Sequence, residues 1–246
     1  MKIAEGIATI DLTADMVGRQ MQIHPTLIWD DRDVILVDTG IPGQSEAIRE
    51  AMEKAGFSLN QLTKVILTHQ DIDHIGSLPE ILMEVSHKIE VLAHEDDKPY
   101  IEGDLPLLKV NPERIAKMME SLPEEERHKV QAIYAAPLAS SVDRTISDGE
   151  VLPYGGGISV IHTPGHTPGH ISLYHQSSKT LITGDALTAP NGIIAGPNPP
   201  VTPDMDAAMK SIQKFVDFDI ETVFCYHGGV INENAKEQIL ALVNAK

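Results

Sequence analysis

Residues 64–74 read KVILTHQDIDH, an apolar run followed by His69, Asp71, Asp73 and His74, four ligand-type side chains in six positions. A short apolar segment ending in Thr68 and a His/Asp cluster is the pattern of a buried strand that delivers functional groups at its carboxyl end. If the strand gives way to a loop here, side chains 69 and 71 point to one site while 73 and 74 turn toward another. Imidazole and carboxylate are ligands that zinc, iron and manganese accept.

Upstream, residues 26–38 (TLIWDDRDVILVD) read as two apolar strands around a polar hairpin turn at 30–33. Gly40, Pro42 and Gly43 then form a loop, and Ser45 caps a helix whose apolar positions Ala47, Ile48, Ala51, Met52 and Ala55 keep helical spacing until Gly56. Downstream, 76–85 is predicted as helix and 89–93 as strand, so the first half runs strand, helix, strand, helix, strand.

Residues 98–142 break this order with several prolines, the acidic run PEEER and helical spacing at Ile115, Met118, Met119 and Leu122, and they read as a helical insertion. Short strands are predicted next at 151–154, 158–162, 170–174 and 180–183, followed by a helix at 206–218, a strand at 222–226 and a terminal helix. Two halves of strands and helices pack as two sheets sandwiched between helices, with a site where strand ends meet. The second half also carries ligand-type residues at such ends. His166 lies in HTPGHTPGH (162–170), where proline and glycine allow a tight turn against a buried centre. Asp185 follows LITG, and His227 follows VFCY.

The ordered set resembles the motifs of the metallo-β-lactamase superfamily, which includes glyoxalase II, acyl-homoserine lactonases, ribonuclease Z and the flavodiiron proteins. It starts at Val37-Asp38-Thr39-Gly40, similar to the family's supporting Asp loop, and extends over nearly the whole chain. The resemblance implies one α/β domain over 1–246, a four-layer αββα sandwich, with the insertion at about 98–142. It implies two divalent metal ions, zinc first, with iron or manganese as alternatives. His69, Asp71 and His166 would hold one ion, Asp73, His74 and His227 the second, and Asp185 would bridge them. Asp73 and Asp185 are cast as the catalytic carboxylates. The implied activity is hydrolysis of a small ester, lactone or thioester by a metal-bound hydroxide, since paired divalent ions activate water and stabilise a developing oxyanion.

The chain departs from the usual His-x-His-x-Asp-His pattern by placing Asp71 at the second histidine. A carboxylate there is a harder ligand, which moves preference from zinc toward iron or manganese. An iron-dependent oxidoreductase, flavodiiron-like or persulfide dioxygenase-like, is therefore the alternative, although no flavodoxin-like pattern appears within these 246 residues. The best-known zinc β-lactamases carry a cysteine near the position of Asp185, which is absent. The segment GGVINENAKEQIL after His227 has one lysine and no arginine, unlike the glutathione-anchoring region of glyoxalase II. Residues 186–194 lack the tyrosine of acyl-homoserine lactonases. A small neutral substrate is the broadest fit.

The remaining histidines read as local or structural. His162 and His170 hydrogen-bond within their turns, His87, His94, His128 and His175 are surface or local, and His24 is a candidate for the pocket wall. Cys225 is expected in strand packing, and Met118, Met119 and Tyr134 in the core rather than the pocket. With 36 acidic and 19 basic residues, net charge −17, the chain repels phosphate backbones and anionic lipid, so neither nucleic acid nor membrane is an expected partner. A single cysteine precludes an intramolecular disulfide and fits a cytoplasmic location. The Met-rich insertion is read as a lid over a small-molecule site or as a homodimer surface.

Overall fold

The structure, a computed structural model, describes residues 2–16 and 19–245. The first half contains strands β1 (Lys2–Ala4), β2 (Ile7–Thr9), β3 (Leu12–Met16), β4 (Arg19–Ile23), β5 (Thr26–Trp29) and β6 (Val34–Val37). These are followed by helix α1 (Ser45–Lys54), strand β7 (Lys64–Ile66), helices α2 (Ile72–Ile75) and α3 (Leu78–Glu84), and strand β8 (Glu90–His94). Helices α4 (Lys98–Ile101), α5 (Pro112–Glu120) and α6 (Glu124–Ala135) lead to strand β9 (Arg144–Ile146). The second half holds β10 (Val151–Leu152), β11 (Ile158–His162), β12 (Ile171–His175), β13 (Thr180–Ile182), α7 (Met205–Ser211), β14 (Thr222–Cys225), β15 (Gly229–Ile231) and α8 (Ala235–Asn244).

One sheet has the order β1-β2-β5-β6-β7-β8-β9 and the other β10-β11-β12-β13-β14-β15, while β3 and β4 form a separate hairpin. Alternation along the strands produces the layers. In β6, Val34 and Leu36 pack with Ile48 and Met52 of α1 and Leu78 and Ile81 of α3, whereas Ile35 and Val37 face Val160, Leu173 and Phe224 of the other sheet. In β14, Phe224 joins the layer between the sheets, while Val223 and Cys225 pack outward against Phe215 and Ile239. The result is the expected αββα sandwich. Strands β6 to β9 run parallel, as do β13 and β14, so their carboxyl ends emerge on one rim.

Several expectations are corrected. The sequence reading assigned no strands before residue 26, yet four short ones lie there, too brief to show more than a few alternating residues. Strands β9 and β15, of three residues each, also escape it. Asp73 and His74 lie on the helical turn α2 rather than in a loop. The helix expected at 206–218 changes after Ser211 into a tighter 3-10 turn, which stacks the buried Ile212 and Phe215 three residues apart. Gln44, not Ser45, is the capping position of α1. No helix among the described residues is long and apolar enough to cross a membrane.

Candidate metal centre

All seven predicted ligand residues meet at the rim where the parallel strands end. Two residues beyond β7, the chain turns at Thr68 and presents His69, fully buried. Asp71 occupies the cap position of α2 but makes no capping hydrogen bond, which leaves its carboxylate free to turn inward. His166 sits in a turn pressed against α7: a Cβ on Gly165, whose φ is +133°, would lie 2.3 Å from the Ala208 nitrogen. Glycine is required there by both space and backbone conformation. Asp185 follows β13 and His227 follows β14.

The side chains form two groups. Asp71 Oδ2 lies 3.3 Å from His69 Nε2 and 3.0 Å from His166 Nε2. Asp73 Oδ2 lies 3.2 Å from His227 Nε2 and 3.8 Å from His74 Nε2. Asp185 stands between them: its Oδ2 is 3.2 Å from His166 Nε2, and its Oδ1 is 3.3 Å from His74 Nε2 and 3.5 Å from His227 Nε2. Within each group the candidate ligand atoms lie within 4.8 Å of one another, as they do for His69, His74 and Asp185.

The donor set fits cations. Among the described residues, four buried side-chain atoms lack a hydrogen-bond partner, and three of them, His69 Nε2, His74 Nε2 and Asp185 Oδ1, face this centre. Unpartnered buried polar atoms are costly, so their convergence calls for a ligand that accepts lone pairs. Burial, reinforced by the charge of His74, lowers the His69 pKa to about 4, keeping it in the neutral form that ligation needs. Burial alone would raise Asp71 and Asp185, yet the surrounding imidazoles hold both well below the usual carboxylate range. For His74 the downward push of burial is outweighed by Asp38, Asp185 and Asp73, and its pKa rises.

Asp38, almost completely buried and at φ 62°, supports this centre. Its Oδ1 accepts the Thr68 N–H at 2.8 Å, and its Oδ2 lies 2.8 Å from both Thr68 Oγ1 and His74 Nδ1. His170, buried, accepts the Asp185 N–H on Nε2 at 3.0 Å and meets Thr163 through Nδ1 at 2.8 Å. It holds the Asp185 loop from behind.

Asp97 and Lys109 are two residues that sequence reasoning missed. Asp97 is fully buried and accepts from the Gln70 N–H at 2.9 Å, the Thr167 hydroxyl at 2.7 Å and the Gly169 N–H at 2.7 Å. It ties the loop of His69 and Asp71 to the loop of His166. Asp97 ends the run Glu95-Asp96-Asp97 just past β8, so its place at a strand end was visible, but nothing chose among three acids. Burial pushes its carboxyl up to about 6, offsetting part of the gain from three hydrogen bonds. Asp97→Ala is expected to cost about 1–3 kcal/mol in urea unfolding and to weaken metal binding by roughly 10–100-fold. Unchanged metal affinity would show that the loops hold without it.

Lys109 comes from the insertion, and its Nζ lies 2.5 Å from both Asp71 Oδ2 and His166 Nε2. A lone lysine inside LPLLKVNP was the available signal. Helix α5 buries none of its residues, and Ile115 and Met118 of α5, with Tyr134 of α6, line a cavity of about 710 Å³ that also contains Asp71, Asp73 and His166. This corrects the expectation that placed Met118 in the core, since helical spacing marks an apolar face without saying what it faces, while Tyr134 does both, packing against the first-half core and lining the cavity. His24, paired with Asp11 at 2.9 Å, lines a neighbouring cavity next to His227. His94 stacks on His162, and burial raises the thiol of Cys225 to about 12.

A sequence profile of the metallo-beta-lactamase superfamily matches residues 18–227. The chain is 31% identical over 224 residues to the probable metallo-hydrolase YflN of Bacillus subtilis, a match covering 85% of this chain and 81% of the relative. It is 26% identical over 174 residues to hydroxyacylglutathione hydrolase GloC of Haemophilus influenzae, covering 68% and 67%. A metallo-beta-lactamase family protein of Thermus thermophilus superposes with a TM-score of 0.72 at 21% identity, over 98% of this chain and 79% of that one, a likeness of fold. The chain belongs to the metallo-beta-lactamase superfamily, and the expectation of a metallo-hydrolase of that superfamily is met at the level of the family.

Proposed function

We propose that the chain hydrolyses a small ester, lactone or thioester at a two-metal centre formed by His69, Asp71 and His166 on one side and Asp73, His74 and His227 on the other. The observation that carries this reading is the split of Asp185, whose two oxygens face different imidazole groups at 3.2 and 3.3 Å. A carboxylate so placed is suited to bridging a pair of cations. Divalent ions held by these residues would supply Lewis acidity for activating water and polarising an acyl oxygen.

The remaining work falls to the chain's own residues. Asp38 orients His74 by holding Nδ1, so that Nε2 presents its lone pair to the centre. His170 fixes the backbone of Asp185. Leu107, Ile115 and Met118 give the cavity an apolar wall above the carboxylates, which excludes water beside the acyl group. The similarity to the hydroxyacylglutathione hydrolase GloC, named for an acylated glutathione, favours a thioester among the three bonds.

Asp71 supplies a harder ligand to the first group than an imidazole would, and on that ground an iron-dependent oxidoreductase is the second reading. Metal analysis of protein purified without added metal, followed by a screen of esters, lactones and thioesters with zinc, iron or manganese restored, tests both. Cleavage that is lost on chelation and restored by two equivalents of metal is the expected result. Absence of hydrolysis with every metal would overturn the hydrolase reading.

A further inference from the structure

The cavity above the proposed centre carries an unusual charge for this chain. Acidic residues outnumber basic ones by 36 to 19 over the whole sequence. Yet among the described residues the acidic side chains lining this cavity are only Asp71, Asp73 and Asp185, all assigned above to the centre itself, and the other charged lining side chains besides the histidines are Lys109 and Arg114. Both cations stand on one short stretch of the insertion, at and just before the start of α5.

Lys109 has a side chain 22% exposed and pairs with Asp71 Oδ2 at 2.5 Å, with His166 Nε2 equally close. A cation held by Asp71 and His166 would claim the place of this ammonium. The lysine stem is flexible, and its charge would then turn to the cavity. Arg114 is exposed at the rim, and no ion pair among the described residues engages its guanidinium. Its charge reaches Tyr134, a phenol that burial and Asp73 push upward in pKa and that Arg114 pulls back. The guanidinium therefore acts on the interior of the cavity.

An arginine with no carboxylate partner, beside a lysine whose carboxylate partner Asp71 would be claimed by a bound cation, is at the mouth of an acyl-cleaving centre a site for an anionic group of the substrate. A guanidinium matches a carboxylate with two parallel N–H donors, and an ammonium adds a point charge. We propose that Lys109 and Arg114 form a carboxylate-reading subsite, so that the substrate is an ester or thioester bearing a free carboxylate rather than a neutral one. This rests on the hydrolase reading above. It also answers the sequence argument from the cation-poor segment after His227: the cations are supplied by the insertion instead.

The test uses the metal-loaded protein and two probe pairs. One pair is the mono-para-nitrophenyl ester of glutarate and its methyl-capped neutral counterpart, compared by kcat/KM. The other is the corresponding anilides, compared by calorimetric binding. The anionic member is expected to be favoured by about tenfold or more in both measurements, as charge-assisted hydrogen bonds allow. Added salt should erode that preference, and Arg114→Glu should abolish or reverse it while Arg114→Lys retains part of it. Equal treatment of the two members by the wild type, or a preference that survives Arg114→Glu, overturns the subsite. If the anionic anilide binds preferentially but neither ester nor a thioester is cleaved, the subsite stands and the hydrolase reading fails. If both esters are cleaved equally, hydrolysis stands and the subsite fails.

Discussion

Asp185→Asn is expected, on the two-metal centre proposed above, to lower kcat/KM by roughly 10³-fold or more and to reduce the metal content from two ions toward one. Typical losses from supporting residues are about 10–100-fold, and Asp185 stands in the centre itself. Its two oxygens face His166 on one side and His74 and His227 on the other. An asparagine of the same shape keeps one oxygen and puts an amide NH2 where the second stood, so one group loses its acceptor and gains a donor that repels a cation. The negative charge also disappears from a buried place surrounded by imidazoles. Metal stoichiometry by elemental analysis and kcat/KM measured on the same preparation decide the matter. Retention of two ions with undiminished turnover would remove Asp185 from the centre.

The second large effect is at Asp38, and it acts through a tautomer. Asparagine tolerates the left-handed backbone found there, so Asp38→Asn should fold. The Thr68 N–H is a fixed donor 2.8 Å from Oδ1 and selects the amide oxygen for that position. The NH2 must then occupy the Oδ2 position, facing His74 Nδ1 at 2.8 Å. Facing a donor, His74 holds its proton on Nε2, the nitrogen that turns toward Asp185 and Asp73. An imidazole with a proton on that nitrogen cannot ligate a metal through it. Metal affinity of the second group should fall by about 100-fold with the fold intact. Asp38→Ala is the contrasting variant: it leaves the buried Thr68 N–H without a partner, reduces His74 Nδ1 to its 3.3 Å contact with Thr68 Oγ1, removes the negative charge beside His74, and should cost about 1–3 kcal/mol in stability. Equal metal affinity in wild type and Asp38→Asn, followed by calorimetry, would show that Asp38 does not set the tautomer.

The strands that pack on both faces were the legible part of the fold. VILV at 34–37 and KVI at 64–66 are apolar at every position or nearly so, because each is covered by helices on one side and by the other sheet on the other. The edges were not legible. Strands β1 to β4, β9 and β15 are three to five residues long or mix polar with apolar side chains, and their pairing partners, not their own sequence, define them. The turn from Ile72 to Ile75 is similar, since four residues cannot show a helical period.

By itself the sequence determined which side chains could act as ligands and that they follow strands: His69, Asp71, Asp73, His74, His166, Asp185 and His227 are ligand types at the ends of apolar runs, and strand ends on one rim are close in space. Only the tertiary structure decided how they divide, with Asp185 turned to both groups, and what lies around them. Asp97 and Lys109 are recognisable only through partners 27 to 72 residues away, in Gln70, Asp71, His166 and Gly169. Residues 98–135 carry an apolar face whose period is the same whether it packs on a core or roofs a cavity. The direction in which α5 and α6 are laid across the rim decided that Met118, Tyr134 and two cations belong to the site, because long-range packing orients a helix and its own sequence does not.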